Sequence, residues 1–500
     1  MNGVNNKYAA LPLAALSACW TGNLFASGVK NAQKPNLVLV LVDDLGWGAL
    51  ALNKSMYDYS QLNQDFIKLH VRDYTPQQAQ QAAEQATPTL TELGMKGTRF
   101  TSAYATANVS APSRAGLLTS RYQQRFGFYI NGEQKLGVPT TEKLMPELLK
   151  KEGYTSACIG KYHIAPNPEN DPGGCISGHH PLDRGFDYYW GFNSHGTQYY
   201  DSNMLYRGKE KVAASGYLTD EFTREALGFI DRAGNKPFVL YLAYTAVHGP
   251  LGAPAPQQYL SHFNYPSKAL NNFYAYLYAV DQGIKQIVEK LRAEGKLDNT
   301  MIVFTSDNGA PGGASNVLPK NGPLRGFKGQ TWQGGVRVTM LIYAPGLKSG
   351  QEFSEMVSLM DIFPTFMDYA GITSPRNLDG RSLMPVLRGD LNYKAHDKLI
   401  WMSQNAENWG MHGIRDQVKA PAGFMVREGN WMLRYDLVEK KPYLFDLASD
   451  VGEKTDLAEK HPERTEKMMG IFREWFSQMK KPMVWKPELW EGVEYWKYNK

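Results

Sequence analysis

Cysteine is scarce in this chain: Cys19, Cys158 and Cys175 are the only three in 500 residues, which excludes a disulfide scaffold. There is no long block of like charge, and the pairs Lys150/Lys151, Lys440/Lys441 and Lys480/Lys481 read as solvated faces. Internal repeats and low-complexity segments are also missing, so neither a solenoid nor a disordered array is expected. What is present is 43% hydrophobic and 21% charged residues, a balance for a soluble globular chain with one large core or two unequal ones. Lys and Arg number 54 against 49 Asp and Glu, a net +5 that favours anionic partners without requiring nucleic acid. Aromatics reach 12%, with Trp475, Trp485, Trp490 and Trp496 crowded near the end, a pattern open to sugar stacking or to core packing.

Behind Lys7, residues 8–18 form an apolar stretch too short for a bilayer but of signal-peptide length, so an exported protein is expected. Leu16-Ser17-Ala18-Cys19 has the form of a bacterial lipobox. It would make residues 1–18 the signal peptide and Cys19 the lipidated first mature residue of a periplasmic or outer-membrane lipoprotein. Cleavage after Ala26 would instead discard Cys19. In an oxidising periplasm Cys158 and Cys175 either close one short disulfide loop or remain buried thiols.

From residue 35 to about 387, short apolar runs end abruptly in polar or small residues and alternate with helical patterns, as buried parallel strands do. Residues 37–42 lead to Asp43-Asp44, 238–243 to His248, 301–304 to Asp307-Asn308, and 338–343 to Pro345-Gly346. Phe273, Leu277, Val280, Ile284, Ile287 and Leu291 keep helical spacing up to a stop at Gly295. The expected fold is α/β, a mostly parallel central sheet sandwiched by helices over 34–390. In such sheets ligands sit beyond the carboxyl ends of the strands, where these acids and the histidine fall. After residue 388, runs at 424–427, 431–435 and 443–447 predict a small antiparallel sheet, and 462–479 a helix, in a C-terminal α+β unit over 391–500. The glutamine-rich stretch 59–85 reads as a helical insertion.

Asp43, Asp44, Asp307 and Asn308 offer oxygen-only ligands from two strand ends, a set for a hard cation such as Ca²⁺ and not for zinc. The adjacent His179/His180 pair lacks a cysteine or acid at ligand spacing. Ser110 precedes a predicted helix with Pro112 in its first turn and Leu117/Leu118 opening its buried face. Such a terminus presents free N–H groups to an anion.

The segment Ser110-Ala-Pro-Ser-Arg-Ala-Gly-Leu-Leu-Thr-Ser-Arg121 resembles the signature of the formylglycine-dependent sulfatases, with Ser120 in place of the usual glycine. Val42-Asp43-Asp44-Leu45-Gly46 and Thr305-Ser306-Asp307-Asn308-Gly309 look like the family's two metal-binding turns. Gly160-Lys161-Tyr162-His163, Val247-His248-Gly-Pro250, Leu324-Arg-Gly-Phe-Lys328-Gly, Gly334-Gly335-Val-Arg337 and Asp361-Ile-Phe-Pro364-Thr follow in the family's order. The departures are Tyr162 for Trp, Val247 for Pro and Gln333 for a common Glu, all expected to flank reacting positions.

The resemblance implies an alkaline-phosphatase-like fold and hydrolysis of sulfate esters. It implies that Ser110 is oxidised to formylglycine (3-oxoalanine) by a serine-type bacterial maturase, and that the hydrate attacks sulfur to give a covalent sulfo-enzyme intermediate. Asp43, Asp44, Asp307, Asn308 and residue 110 would bind one Ca²⁺. Arg114 would help ionise the nucleophile, Lys161 and Lys328 would hold sulfate oxygens, and His248 would protonate the leaving oxygen. His163 would contact the formylglycine hydroxyl. Arg184, His195 and Arg325 are the candidates for reading sugar hydroxyls or neighbouring sulfates. The expected partner is a sulfated oligosaccharide or polysaccharide, an algal galactan such as carrageenan or a host glycan. The rivals are a phosphodiesterase or phosphonate hydrolase of the same superfamily and a non-catalytic glycan-binding lipoprotein with unmodified Ser110.

Overall fold

Strand β1 (Asn36–Val42) is fully buried on both faces and lies at the centre of a large mixed sheet. The computed structural model describes residues 33–56, 73–312, 321–403, 423–437 and 439–484. The signal segment 1–18, Cys19, Trp485, Trp490 and Trp496 therefore lie outside the described residues. In chain order the other strands of this sheet are β2 (Thr98–Tyr104), β3 (Thr155–Lys161), β4 (Tyr188–Phe192), β5 (Leu205–Arg207) and β6 (Glu210–Val212). They are followed by β7 (Phe238–Tyr244), β8 (Thr300–Ser306), β9 (Arg337–Tyr343), β10 (Gln351–Phe353) and β11 (Val357–Ser358).

The order is β10-β2-β9-β8-β1-β7-β3-β4-β5-β6, with β11 also paired to β2. The five central strands β8, β1, β7, β3 and β4 are parallel, as the apolar runs of β1, β7 and β8 predict. Strand β9 departs from that expectation: it runs antiparallel to both β8 and β2. Its apolar run is the same in either direction, because burial on both faces and not strand polarity sets the composition. Val42 pairs with both Tyr244 and Ser306, so β1, β7 and β8 end level and deliver Asp43, Thr245 and Asp307 to one edge.

Successive residues point to opposite faces. Val38, Val40, Leu240, Leu242 and Phe304 meet the helices Leu218–Ala233 and Lys268–Ala293 on one side. Leu37, Leu39, Leu41, Val239 and Val303 meet helices Ser110–Thr119 and Ile362–Tyr369 on the other. The long helix Lys268–Ala293 buries every residue of the predicted stripe, begins at Ser267, whose side chain accepts from Leu270 N, and ends before Gly295 at φ +66°. The described part of the predicted insertion contains a helix, Pro76–Ala86, started by a Thr75/Gln78 capping box.

The C-terminal sheet has four antiparallel strands, β12 (Lys398–Ser403), β13 (Gly423–Glu428), β14 (Trp431–Asp436) and β15 (Lys441–Asp446), one more than the sequence suggested. Helix Pro462–Phe476 covers one face. Trp475 packs into this layer at 5% exposure and is core rather than a sugar platform. The described residues from 34 to 484 belong to a single compact unit. Cys158 and Cys175 are free thiols.

Candidate active site

Strand ends, the loops that follow them and the start of the Ser110 helix bring the predicted residues together, and nearly all of them are out of solvent. Asp43, Asp44, Ser110, Arg114, Lys161, His163, Asp307 and Asn308 are each no more than 2% exposed. Gly160 lets the ends of β3 and β7 approach closely: at φ +103°, a Cβ there would lie 1.9 Å from the Ala243 carbonyl oxygen. Asp44 and His163 take left-handed φ angles of +61° and +58°, a cost that non-glycine residues accept where surrounding contacts hold them.

Ser110 is the first residue of its helix rather than its cap; Val109 stands in the cap position. Its hydroxyl turns away from the helix end, to Asp43 Oδ1 at 3.3 Å and Asn308 Oδ1 at 3.2 Å. The exposed N–H of Ala111 is taken up instead by Asn131 Oδ1 at 2.9 Å. Lys161 Nζ donates to Asp43 Oδ2 at 2.6 Å and Lys328 Nζ to Asp44 Oδ1 at 2.7 Å. Arg114 donates through Nε and Nη2 to Asp307 Oδ2, at 3.1 and 2.9 Å, and through Nη1 to the Lys161 carbonyl. Asp307 Oδ1 accepts the Asp44 N–H, and Asn308 Nδ2 donates to Asp44 Oδ1.

Three carboxylates thus face three cations, and the nest is neutral on its own residues. Burial would raise the Asp43 carboxyl, but Lys161, His248 and Arg114 overcome it and hold Asp43 at about 2. Asp44 is likewise lowered, against burial, by Lys328 and His248. Burial lowers Lys161 despite Asp43. For Lys328 the balance reverses: its carboxylate neighbours outweigh burial and raise it. Burial, then Lys161 and Arg114, keep His163 neutral, and its Nδ1 has no hydrogen-bond partner among the described residues.

His248 is the member of the site that looks outward. Its side chain is 19% exposed, with Nε2 3.7 Å from Asp44 Oδ2, and burial lowers its pKa despite Asp43 and Asp44. Asp43, Asp44 and His248 offer ligand atoms within 4.8 Å of one another. Of these, Asp43 and Asp44 join Asp307, Asn308 and Ser110 in a buried, all-oxygen donor set that fits a divalent cation, with His248 beside it. Beyond His248 opens a cleft of about 880 Å³, lined by His195, Thr197, Tyr199, Tyr200 and Pro250 among others.

Two candidate substrate residues lie elsewhere. Arg184 is 2% exposed, and its guanidinium is engaged by the Val138 and Glu142 carbonyls and by Glu147, so it braces the fold. Arg325 stacks on Trp332 at 3.8 Å and donates to the Glu453 carbonyl, facing the C-terminal sheet. His195 does line the cleft. Of the three departures, Gln333 flanks no reacting group: it bonds to Tyr104, Val451 and Glu453 at the same interlayer joint. Tyr162 is packed in the core. His180 is a structural histidine, accepting from Leu182 N and meeting the Gly208 carbonyl.

Sequence reasoning missed Asn131, Tyr241, whose hydroxyl meets Arg114, and Ser306, which accepts from Leu45 N and donates to the Asn308 carbonyl. Ser306 lies inside a motif and was within reach, whereas Asn131 and Tyr241 carry no local signal.

A largely parallel sheet whose strand ends converge on paired acids, buried lysines and a hydroxyl at a helix start defines an alkaline-phosphatase-like hydrolase. The family profile described as Sulfatase matches residues 35–372, and one described as N-sulphoglucosamine sulphohydrolase, C-terminal, matches 328–480. An uncharacterized sulfatase of Escherichia coli, YdeN, is 36% identical over 90% of this chain and 87% of its own. The N-acetylgalactosamine-6-sulfatase of Mus musculus is 32% identical over 74% of this chain and 69% of its own. The structure of Ps i-CgsB in complex with k-i-k-neocarrahexaose has a TM-score of 0.73 and 29% identity, covering 93% of this chain and 98% of that one. This chain belongs to the sulfatase family. It is a sulfuric ester hydrolase.

Proposed function

We propose that this protein removes sulfate from a sulfated oligosaccharide at the envelope of a bacterium, using a formylglycine made from Ser110 and one Ca²⁺. The observation that carries the reading is the pairing of a neutral charge nest with an adjacent open cleft, joined at His248. Ps i-CgsB, bound to a neocarrahexaose, supports a carbohydrate ester over a small aryl sulfate. An algal galactan such as carrageenan is the substrate class favoured, with a host glycan as the second.

Formylglycine, as its hydrate, supplies an oxygen nucleophile for sulfur and a route to expel sulfate by re-forming the aldehyde. The chain's own residues do the rest. Asp43, Asp44, Asp307 and Asn308 hold the cation, which supplies positive charge beside the nucleophile. Lys161 and Lys328, poised on Asp43 and Asp44, turn to the sulfate oxygens and stabilise the charge that builds on them. Arg114, fixed by Asp307 and the Lys161 carbonyl, keeps a permanent positive charge beside residue 110. His163, neutral and with a free Nδ1, accepts a proton from the hydroxyl at position 110. His248 gives a proton to the leaving sugar oxygen, and the cleft beyond it receives the sugar, with His195 contacting its hydroxyls.

The test is desulfation of a panel of sulfated galactan and glycosaminoglycan oligosaccharides by protein from a maturase-bearing cell, with mass spectrometry of the Ser110 peptide. Release of sulfate together with a loss of two hydrogens at Ser110 is expected. An intact serine would leave the binding-lipoprotein reading, and preference for matched phosphate esters would move the protein to the phosphonate-hydrolase side of the superfamily. The predicted lipid on Cys19 is checked by radiolabelled palmitate incorporation, lost in Cys19→Ala.

A further inference from the structure

Five tyrosines, Tyr199, Tyr200, Tyr217, Tyr259 and Tyr276, pack into one cluster beside the cleft. The Tyr199 ring lies 4.5 Å from that of Tyr276, edge to face, and 6.1 Å from that of Tyr217, stacked. Tyr217 also meets Tyr200 and Tyr259 at 5.3 and 6.3 Å. Three hydroxyls leave the cluster toward the loop that follows β7. Tyr276 donates to the Ala253 carbonyl at 3.1 Å and Tyr200 to that of Pro254 at 2.8 Å. Tyr199 reaches the Thr245 carbonyl at 3.1 Å and that of His248 itself at 2.9 Å.

The same segment also walls the ring of that histidine. A Cβ on Gly196 would lie 3.3 Å from Cε1 and 3.4 Å from Nδ1 of the His248 imidazole. Residue 248 is thus held at its carbonyl by Tyr199, its ring lies where a side chain at 196 would press on it, and its Nε2 faces Asp44. Tyr199 is 7% exposed, so its hydroxyl has little water to turn to if the loop shifts.

We propose that Tyr199 is a positioning residue that fixes the direction in which His248 transfers its proton. The inference rests on the reading of His248 as the acid. It predicts a defect that scales with how much the leaving oxygen needs a proton, because misplacing an acid by a fraction of an ångström slows the step it serves and spares the others.

Tyr199→Phe keeps the ring packing and removes the hydroxyl. On matured enzyme, kcat/KM for a sugar sulfate is expected to fall about tenfold, with a far smaller fall for 4-nitrophenyl sulfate, whose leaving group needs little protonation. Gly196→Ala, which presses on the ring from the other side, should give the same substrate-dependent loss and serves if Tyr199→Phe does not fold. In protein labelled at histidine, the His248 resonance, assigned with His248→Gln, should move in Tyr199→Phe while the other histidine signals stay. Equal losses on the two esters, or an unmoved His248 resonance, overturn the proposal. If wild-type protein hydrolyses neither ester, the functional reading fails by itself, and the resonance still decides whether Tyr199 holds His248.

Discussion

Two buried carboxylates in this molecule titrate in opposite directions. Asp43, in the nest, sits at about 2, whereas Glu453, at the joint with the C-terminal sheet, is pushed up to about 8. Burial raises both. What differs is the company: Asp43 has Lys161 at 2.6 Å and Arg114 at 3.6 Å, while Glu453 has the backbone N–H of Gln333 at 3.0 Å and an Oε1 with no hydrogen-bond partner among the described residues. The nest is built to keep charge in a dry place, which a sulfate ester and a cation require. The joint is built to hold a neutral acid as mortar between two layers.

Removing a cation from the nest should break the contrast most severely. Arg114→Ala leaves Asp307 buried without its cationic partner and should cost ~3–5 kcal/mol in denaturant unfolding; a cost below ~1 kcal/mol would mean that water enters and rescues the acid. Adding charge should have the opposite sign. Ca²⁺ at about a hundredfold excess over its dissociation constant should stabilise the protein by ~2.7 kcal/mol, seen as a rise in Tm that EDTA reverses and Asp43→Asn abolishes. No rise with Ca²⁺ or any other divalent ion would dissolve the metal assignment.

Glu453 supplies the next test, by pH. Its folded pKa lies above the unfolded value of 4.5, so its contribution is complete below pH 4.5 and is lost as pH rises toward about 8. Stability should fall by ~1.4 kcal/mol per pH unit through that window. Glu453→Gln should flatten this slope, and an unchanged slope would clear Glu453 of responsibility. The smallest effect belongs to the cleft: His195→Ala, at an exposed position, should alter stability by less than ~0.5 kcal/mol. It should still raise KM for an oligosaccharide, and an unchanged KM would remove His195 from the sugar-contacting set.

The sheet and the nest were largely legible because both are written locally. Strands buried on two faces are apolar throughout, and Asp43, Asp44, Asp307 and Asn308 directly follow such runs. The direction of β9, the strand β12 and the fate of Arg184 were not, because each depends on partners far away in sequence. Arg184 is the instructive case, because a guanidinium with three protein acceptors is indistinguishable, in one dimension, from one that awaits a ligand. Tyr199 shows the converse, for nothing in its sequence context announces that it holds the carbonyl of residue 248.

The joint around Glu453 bears on how this protein can be cut. Trp401 Nε1 donates to the Ala105 carbonyl, Arg427 reaches the Tyr104 hydroxyl, and Glu453 receives the Gln333 N–H. Tyr104 ends the strand that leads into the Ser110 helix, and Ala105 follows it directly. Stopping the chain at 390 would therefore unfasten the nucleophile's own mounting, and a shortened enzyme would fail at residue 110 although every acid, lysine and histidine of the nest were still encoded.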